Sequence, residues 1–201
     1  MLYMYHLEAD LATTPNRPII PIINERNFMQ TLHNALRTIP DFPKPGIQFK
    51  DIAPLLANPR HFNETIEALK AHHLNDQLDQ IVGIESRGFL FASALAYALG
   101  CGTTLIRKPG KLPGTVHQQT YDLEYGSDAL EIQTDALQTG HRVLLIDDVL
   151  ATGGTVAAAR RLIENHFDIH LVGATFLLEL TELKGRAKLA ALPVHTLIQT
   201  D

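Results

Sequence analysis

Between Val143 and Thr155 the chain reads VLLIDDVLATGGT, an order of residues that few folds accommodate. Val143, Leu144, Leu145 and Ile146 form an unbroken apolar run, the pattern of a strand covered by helices on both faces of a parallel sheet. Asp147 and Asp148 follow at its carboxyl end, where ligands of open α/β sheets bind. Successive strand side chains point to opposite faces, so two adjacent carboxylates serve one ligand only where the backbone is already leaving the sheet. Ala151, Gly153 and Gly154 supply that departure. Thr152, Gly153, Gly154 and Thr155 then open a helix, so free N–H groups and the positive helix end converge on one point, which suits a phosphate. The combination describes a ligand with vicinal hydroxyls beside a phosphate, such as ribose 5-phosphate. An ordinary βα turn also carries glycines, but the paired acids favour the ligand. A Walker-type ATPase is excluded, because G-x-x-x-x-G-K-[ST] occurs nowhere in the chain.

The rest of the chain alternates helix and strand. Phe28, Leu32, Leu36 and Ile39 share a helical face that Pro40 and Pro43 then stop. A second helix is expected from Pro59 to Leu74 with Asn58 as its N-cap, a third from Gly88 to Gly100, and others over Gly154–His166 and Thr181–Ala190. QIVGIE, TTLIRK, HRVLLID, HLVGATFLL and PVHTLI read as strands. Pro109 to Thr120 reads as an exposed, mobile loop, and Tyr121–Tyr125 with Ala129–Ile132 as a hairpin turning at Gly126 and Ser127. This order implies an α/β fold with a mostly parallel sheet.

Composition sets outer limits. A length of 201 residues suits one domain. Lys and Arg number 17 against 22 Asp and Glu, so no global positive field marks the chain for nucleic acid or an anionic membrane. The single cysteine, Cys101, forms no internal disulfide and points to a reducing, cytoplasmic setting. Residues 1–24 carry Glu8 and Asp10, are broken by Pro15, Pro18 and Pro21, and read as an extended arm, neither signal nor anchor. The 10 histidines show no clustering; His72 and His73 are adjacent in a helix and are not expected to face one site, so no protein-held metal is assigned.

Ahead of VLLIDDVLATGGT stand DFPKPGIQFKDIAPLL (Asp41 to Leu56), GIESRGFLF (Gly83 to Phe91), LIRKPGKLPG (Leu105 to Gly114) and YDLEYGSDALEIQTDAL (Tyr121 to Leu137). In this order the segments resemble those of the type I phosphoribosyltransferases, whose phosphoribosyl pyrophosphate motif VLLIDDVLATGGT matches, and narrow to the members that use adenine. The C-terminal ELTELKGRAKL is also similar. The resemblance implies the type I phosphoribosyltransferase fold: a mostly parallel central sheet, helices on both faces and a small N-terminal hood. After the arm, residues 25–201 would form this domain, with the hood around 41–56 and the catalytic loop around 108–125. It implies transfer of the 5-phosphoribosyl group from phosphoribosyl pyrophosphate to adenine, giving AMP and pyrophosphate in purine salvage. Mg²⁺ would be held mainly by the substrate, and the protein would be a homodimer. The alternative is a non-catalytic regulator of the same fold that binds phosphoribosyl pyrophosphate and DNA. The net charge of -5 and the YDLEYG segment count against it.

Site residues follow in the same way. Ser86 and Arg87 follow a strand, at the sheet's ligand end, beside a glycine that admits an anion; on the residues alone a surface arginine fits too. The resemblance places them in the pyrophosphate loop, with Arg87 catalytic and a cis peptide at Glu85–Ser86. Arg107, Lys108 and Lys111 put three positive charges within five residues, and the resemblance assigns them to the pyrophosphate end of the substrate. Asp147, Asp148, Ala151, Thr152, Gly153, Gly154 and Thr155 complete the phosphoribosyl pyrophosphate set. Glu124, on its own a solvated charge, becomes by resemblance the acid/base candidate, and Gln48, Phe49 and Lys50 the adenine contacts. Thr120 stands where the family often has Ser, and Ala92-Ser93 where Gly-Pro is common.

Overall fold

The computed structural model describes residues 25–122 and 126–200. The proposed arm and Glu124 lie outside them.

Five parallel strands make the central sheet: β3 (Gln80–Ile84), β4 (Gly102–Ile106), β7 (Arg142–Leu150), β8 (His170–Leu180) and β9 (Val194–Thr200). Their spatial order is β4-β3-β7-β8-β9. Apolar residues alternate along these strands to feed two cores. On one face Val82, Ile84, Val143, Leu145 and Phe176 pack against α5 (Gly154–His166). On the other, Ile81, Leu144, Ile146 and Leu177 meet α3 (Pro59–His73) and α4 (Gly88–Leu99). Asn58 caps α3 as expected, its side chain accepting from the N–H groups of Arg60 and His61. Gly100, at φ 75°, ends α4 in the left-handed conformation that glycine adopts without strain.

Four local expectations change. The first helix, α1 (Glu25–Asn34), stops early, and Leu36 and Ile39 leave the helical pattern. Arg37–Pro40 is instead strand β1, antiparallel to β2 (Gln48–Asp51), because an ion pair of 2.5 Å between Arg37 and Asp51 and the cross-strand pair Ile39–Phe49 favour extension. A short helix, α2 (Ala53–Ala57), follows. The expected loop Pro109–Thr120 loses its second half to β5 (Val116–Asp122), which pairs with β6 (Ser127–Gln133). A hairpin strand with one solvated face needs no apolar run, which hid it. Thr181–Ala190 makes two 3₁₀ turns, Thr181–Leu183 and Gly185–Leu189. A Cβ at Gly185 would stand 2.1 Å from the Ala151 carbonyl, so the chain is pressed there against the turn after β7.

Candidate active site

The fourth change concerns the paired acids. The β7 ladder with β8 continues past them, Asp147 opposite Phe176 and Leu150 opposite Glu179, so the backbone leaves the sheet only after Leu150. The carboxylates nevertheless meet at one place. Asp147 folds back so that its Oδ1 accepts the Asp148 N–H at 2.9 Å, and Asp148 Oδ2 lies 2.7 Å from Arg87 Nε. Gly88 is what lets the start of α4 come so near: a Cβ there would be 2.9 Å from Asp147 Oδ1 and 2.9 Å from the Ile146 carbonyl.

Asp148 is 4% exposed, and its Oδ2 has no hydrogen-bond partner, since Arg87 approaches it without the alignment of a bond. A buried carboxylate oxygen in that condition is an acceptor awaiting a donor. Burial, followed by repulsion from Asp148, pushes the Asp147 carboxyl well above its ordinary range. Burial also raises Asp148, with the Arg87 guanidinium opposing. Both groups are costly without a ligand that donates to them.

Beyond Leu150, Ala151–Gly153 turn sharply and α5 begins with no side-chain cap. Its first N–H groups and dipole are therefore available to an anion. Gly153 lies at φ 76°, and a Cβ on it would sit 2.4 Å from the Gly185 carbonyl. That glycine is required by the packing of the turn, a reason different from the expected approach of a phosphate. Gly154 is the open position, its nearest neighbour Thr152 Oγ1 at 3.9 Å. Thr152 is exposed and Thr155 half-buried.

The Glu85–Ser86 peptide is cis, as expected from the resemblance, and Ser86 is exposed at the loop. The basic residues are less free than their charges suggested. Glu85 takes Lys111 Nζ at 2.5 Å, Arg107 Nε at 3.3 Å and the Lys108 N–H at 2.9 Å. Burial raises the Glu85 carboxyl, but these donors together outweigh it and hold it below its ordinary range. Lys108 Nζ pairs with Asp128 and bonds the Tyr121 hydroxyl at 3.2 Å. Glu85 and Asp128 are the residues that sequence reasoning missed; Glu85 directly precedes Ser86, and a carboxylate beside an expected anion loop was the available signal.

The hood candidates separate. Phe49 points to the centre, with the Arg87 guanidinium 5.4 Å from its ring centroid and the Phe42 ring edge-on at 5.1 Å. Gln48 and Lys50 alternate to the other face of β2, where Lys50 Nζ bonds Thr38 Oγ1 at 3.2 Å. The expectation that histidines do not cluster is overturned: His72 and His73, at the end of α3, meet His195 of β9. Adjacent residues at a helix terminus both reach a cavity that lies beyond the last turn.

A family model described as "Phosphoribosyl transferase domain" matches residues 52–169, more than half of the chain. Adenine phosphoribosyltransferase of Solibacter usitatus is 51% identical over 173 residues, covering 86% of this chain and 99% of its own. The crystal structure of adenine phosphoribosyltransferase from Rhodothermus marinus has TM-score 0.83 and 48% identity, covering 87% of this chain and 99% of that one. The Saccharomyces cerevisiae enzyme, complexed with an imino-altritol bisphosphate and adenine, has TM-score 0.82 and 45% identity, covering 86% and 99%. Because the family model spans more than half of the chain and these relatives match it over almost their whole length, the chain belongs to the phosphoribosyltransferase family, among its adenine phosphoribosyltransferases.

Proposed function

We propose that the protein transfers the 5-phosphoribosyl group of phosphoribosyl pyrophosphate to adenine, releasing AMP and pyrophosphate. The observation that carries this reading is the meeting of Asp148 Oδ2, buried and without a bonded donor, with Arg87 and the uncapped start of α5. The 5-phosphate sits on the N–H groups of Thr152–Thr155, and the ribose hydroxyls donate to Asp147 and Asp148. The diphosphate lies toward Ser86, Arg87, Arg107 and Lys111, and adenine lies beneath Phe49. As the bond from ribose C1 to diphosphate breaks, its electron pair leaves with pyrophosphate and N9 of adenine adds from the other face. The N9 proton departs, with Glu124 as the acceptor assigned by resemblance. The protein's part is to hold the reactants in line and to set positive charge where the leaving group develops its own.

Mg²⁺ fits the site: buried carboxylate oxygens beside a diphosphate are the hard donors that cation takes, largely through substrate and water. Asp147 and Asp148 would hold it through the ribose hydroxyls, and when bound it would neutralise diphosphate charge. A homodimer is supported by Leu90 and Tyr97, 48% and 91% exposed on the outer side of α4. The lone thiol Cys101 supports a reducing, cytoplasmic setting for a purine-salvage enzyme. Among the described residues no helix is long and apolar enough to cross a membrane. The test is product formation from phosphoribosyl pyrophosphate with adenine, hypoxanthine or guanine in parallel. Turnover with adenine alone is expected; equal use of guanine, or none of adenine, would overturn the assignment.

A further inference from the structure

Away from the paired acids, a cavity of about 280 Å³ opens where α3 ends against the first residues of β8 and β9. Neither Arg87 nor any residue from Asp147 to Thr155 lines it. Three imidazoles do, those of His72, His73 and His195, together with the Asp76 carboxylate. One ring nitrogen of each histidine lies within 4.8 Å of the others.

The outer bonds of two rings are already made. His73 Nδ1 is 2.7 Å from Asp76 Oδ2, which fixes the tautomer: Nδ1–H donates to the carboxylate, and Nε2 carries the lone pair. That Nε2 is buried and has no hydrogen-bond partner, in a side chain only 5% exposed. His195 Nδ1 lies 3.2 Å from Thr175 Oγ1, leaving its Nε2 for the cavity. A histidine with one ring nitrogen oriented by a carboxylate or hydroxyl and the other unsatisfied is the arrangement found around metal ions.

We propose that His72, His73 and His195 bind a divalent transition-metal ion of borderline softness, such as Zn²⁺, at a site separate from the substrate centre. Three neutral nitrogens with no thiolate suit a borderline cation, and a fourth, water-filled position faces the cavity. Tetrahedral geometry with bonds of about 2.0–2.1 Å places ligand nitrogens roughly 3.3–3.4 Å apart. His72 closes the remaining distance: it is exposed and stacked on His195 with centroids 3.5 Å apart, so its ring is free to turn out of the stack toward the ion. The ion would tie the end of α3 to β9, the edge strand of the sheet. Asp76 and Thr175 act as positioning residues.

The experiment is calorimetric titration of ZnCl₂ into tag-free, EDTA-stripped full-length protein without substrate, alongside His72→Ala, His195→Gln and Asp147→Asn. One Zn²⁺ per chain is expected in the wild type and in Asp147→Asn, with affinity at least 10-fold weaker in each histidine variant. With Zn²⁺ at 100 times its Kd, the wild-type Tm should rise by roughly 5–10 °C. That rise should shrink in both histidine variants, while His72→Ala turns over adenine normally. Substituted Co²⁺ should show the visible absorption of a tetrahedral site. Absence of Zn²⁺ binding at micromolar concentration, unchanged affinity in either histidine variant, or loss in Asp147→Asn with retention in the histidine variants would each overturn the proposal.

Discussion

Replacing Asp147 by Asn should make the free enzyme more stable and its binding of phosphoribosyl pyrophosphate weaker. Asn keeps the side-chain oxygen that accepts the Asp148 N–H at 2.9 Å, so the local backbone is retained. What it removes is a carboxylate that burial and the neighbouring Asp148 disfavour. Because the folded-state carboxyl is raised, its contribution to stability is fully present below the unfolded value, near pH 4, and is lost as pH rises through the folded value. The Tm of the variant should therefore match the wild type near pH 4 and exceed it increasingly above that, levelling once the wild-type carboxyl ionises. Binding moves the other way. A charge-assisted hydrogen bond to a ribose hydroxyl is worth about 1.5–3 kcal/mol, which is roughly 10–150-fold in Kd. Adenine affinity should be unchanged. Differential scanning calorimetry from pH 4 to 8 and titration calorimetry with each ligand make the comparison. A lower Tm at pH 7, or an unchanged Kd for phosphoribosyl pyrophosphate, would refute the reasoning that these acids are kept, at a cost in stability, for a ligand's sake.

The two glycines of the turn should respond differently. Gly153→Val, with φ 76° and the Gly185 carbonyl 2.4 Å from its Cβ, should lose about 1–2 kcal/mol from backbone conformation alone and more from the contact, read by urea denaturation. Gly154→Ala, with open space around its Cβ, should fold normally and bind phosphoribosyl pyrophosphate less well; normal binding would remove this turn as the phosphate cradle. Glu85 is held below its ordinary range, so its contribution is present above the unfolded value and lost as pH falls through the folded one. Glu85→Gln should flatten the acid limb of stability below about pH 4.5 and lower the inhibition constant of pyrophosphate by freeing Arg107 and Lys111; an unchanged constant would argue that Glu85 does not compete with the diphosphate. For Glu124→Gln, single-turnover rapid quench with enzyme in excess should show chemistry slowed by about 10²–10⁴-fold at unchanged Kd. An unchanged chemical rate would move the proton to another acceptor.

Local order alone carried a large part of this protein. The apolar run Val143–Ile146 and the small residues that follow it specified a buried parallel strand and a turn into a helix, because each depends on residues adjacent in the chain. Asn58 announced its helix for the same reason. Contacts between distant segments had no such signature. That β1 is a strand follows from Asp51 and Phe49, across a turn that helical periodicity does not register. That Gly153 must be glycine follows from Gly185, which the fold presses against it. The charges of Arg107, Lys108 and Lys111 were legible in number, but their neutralisation by Glu85 and Asp128 required the strands carrying them to be neighbours. His195 stands far along the chain from His72 and His73, and only the parallel order β7-β8-β9 brings its ring to the end of α3. Sequence fixes chemistry over a few residues, where geometry is set by the backbone period; sites assembled across the sheet are decided by which strands lie side by side.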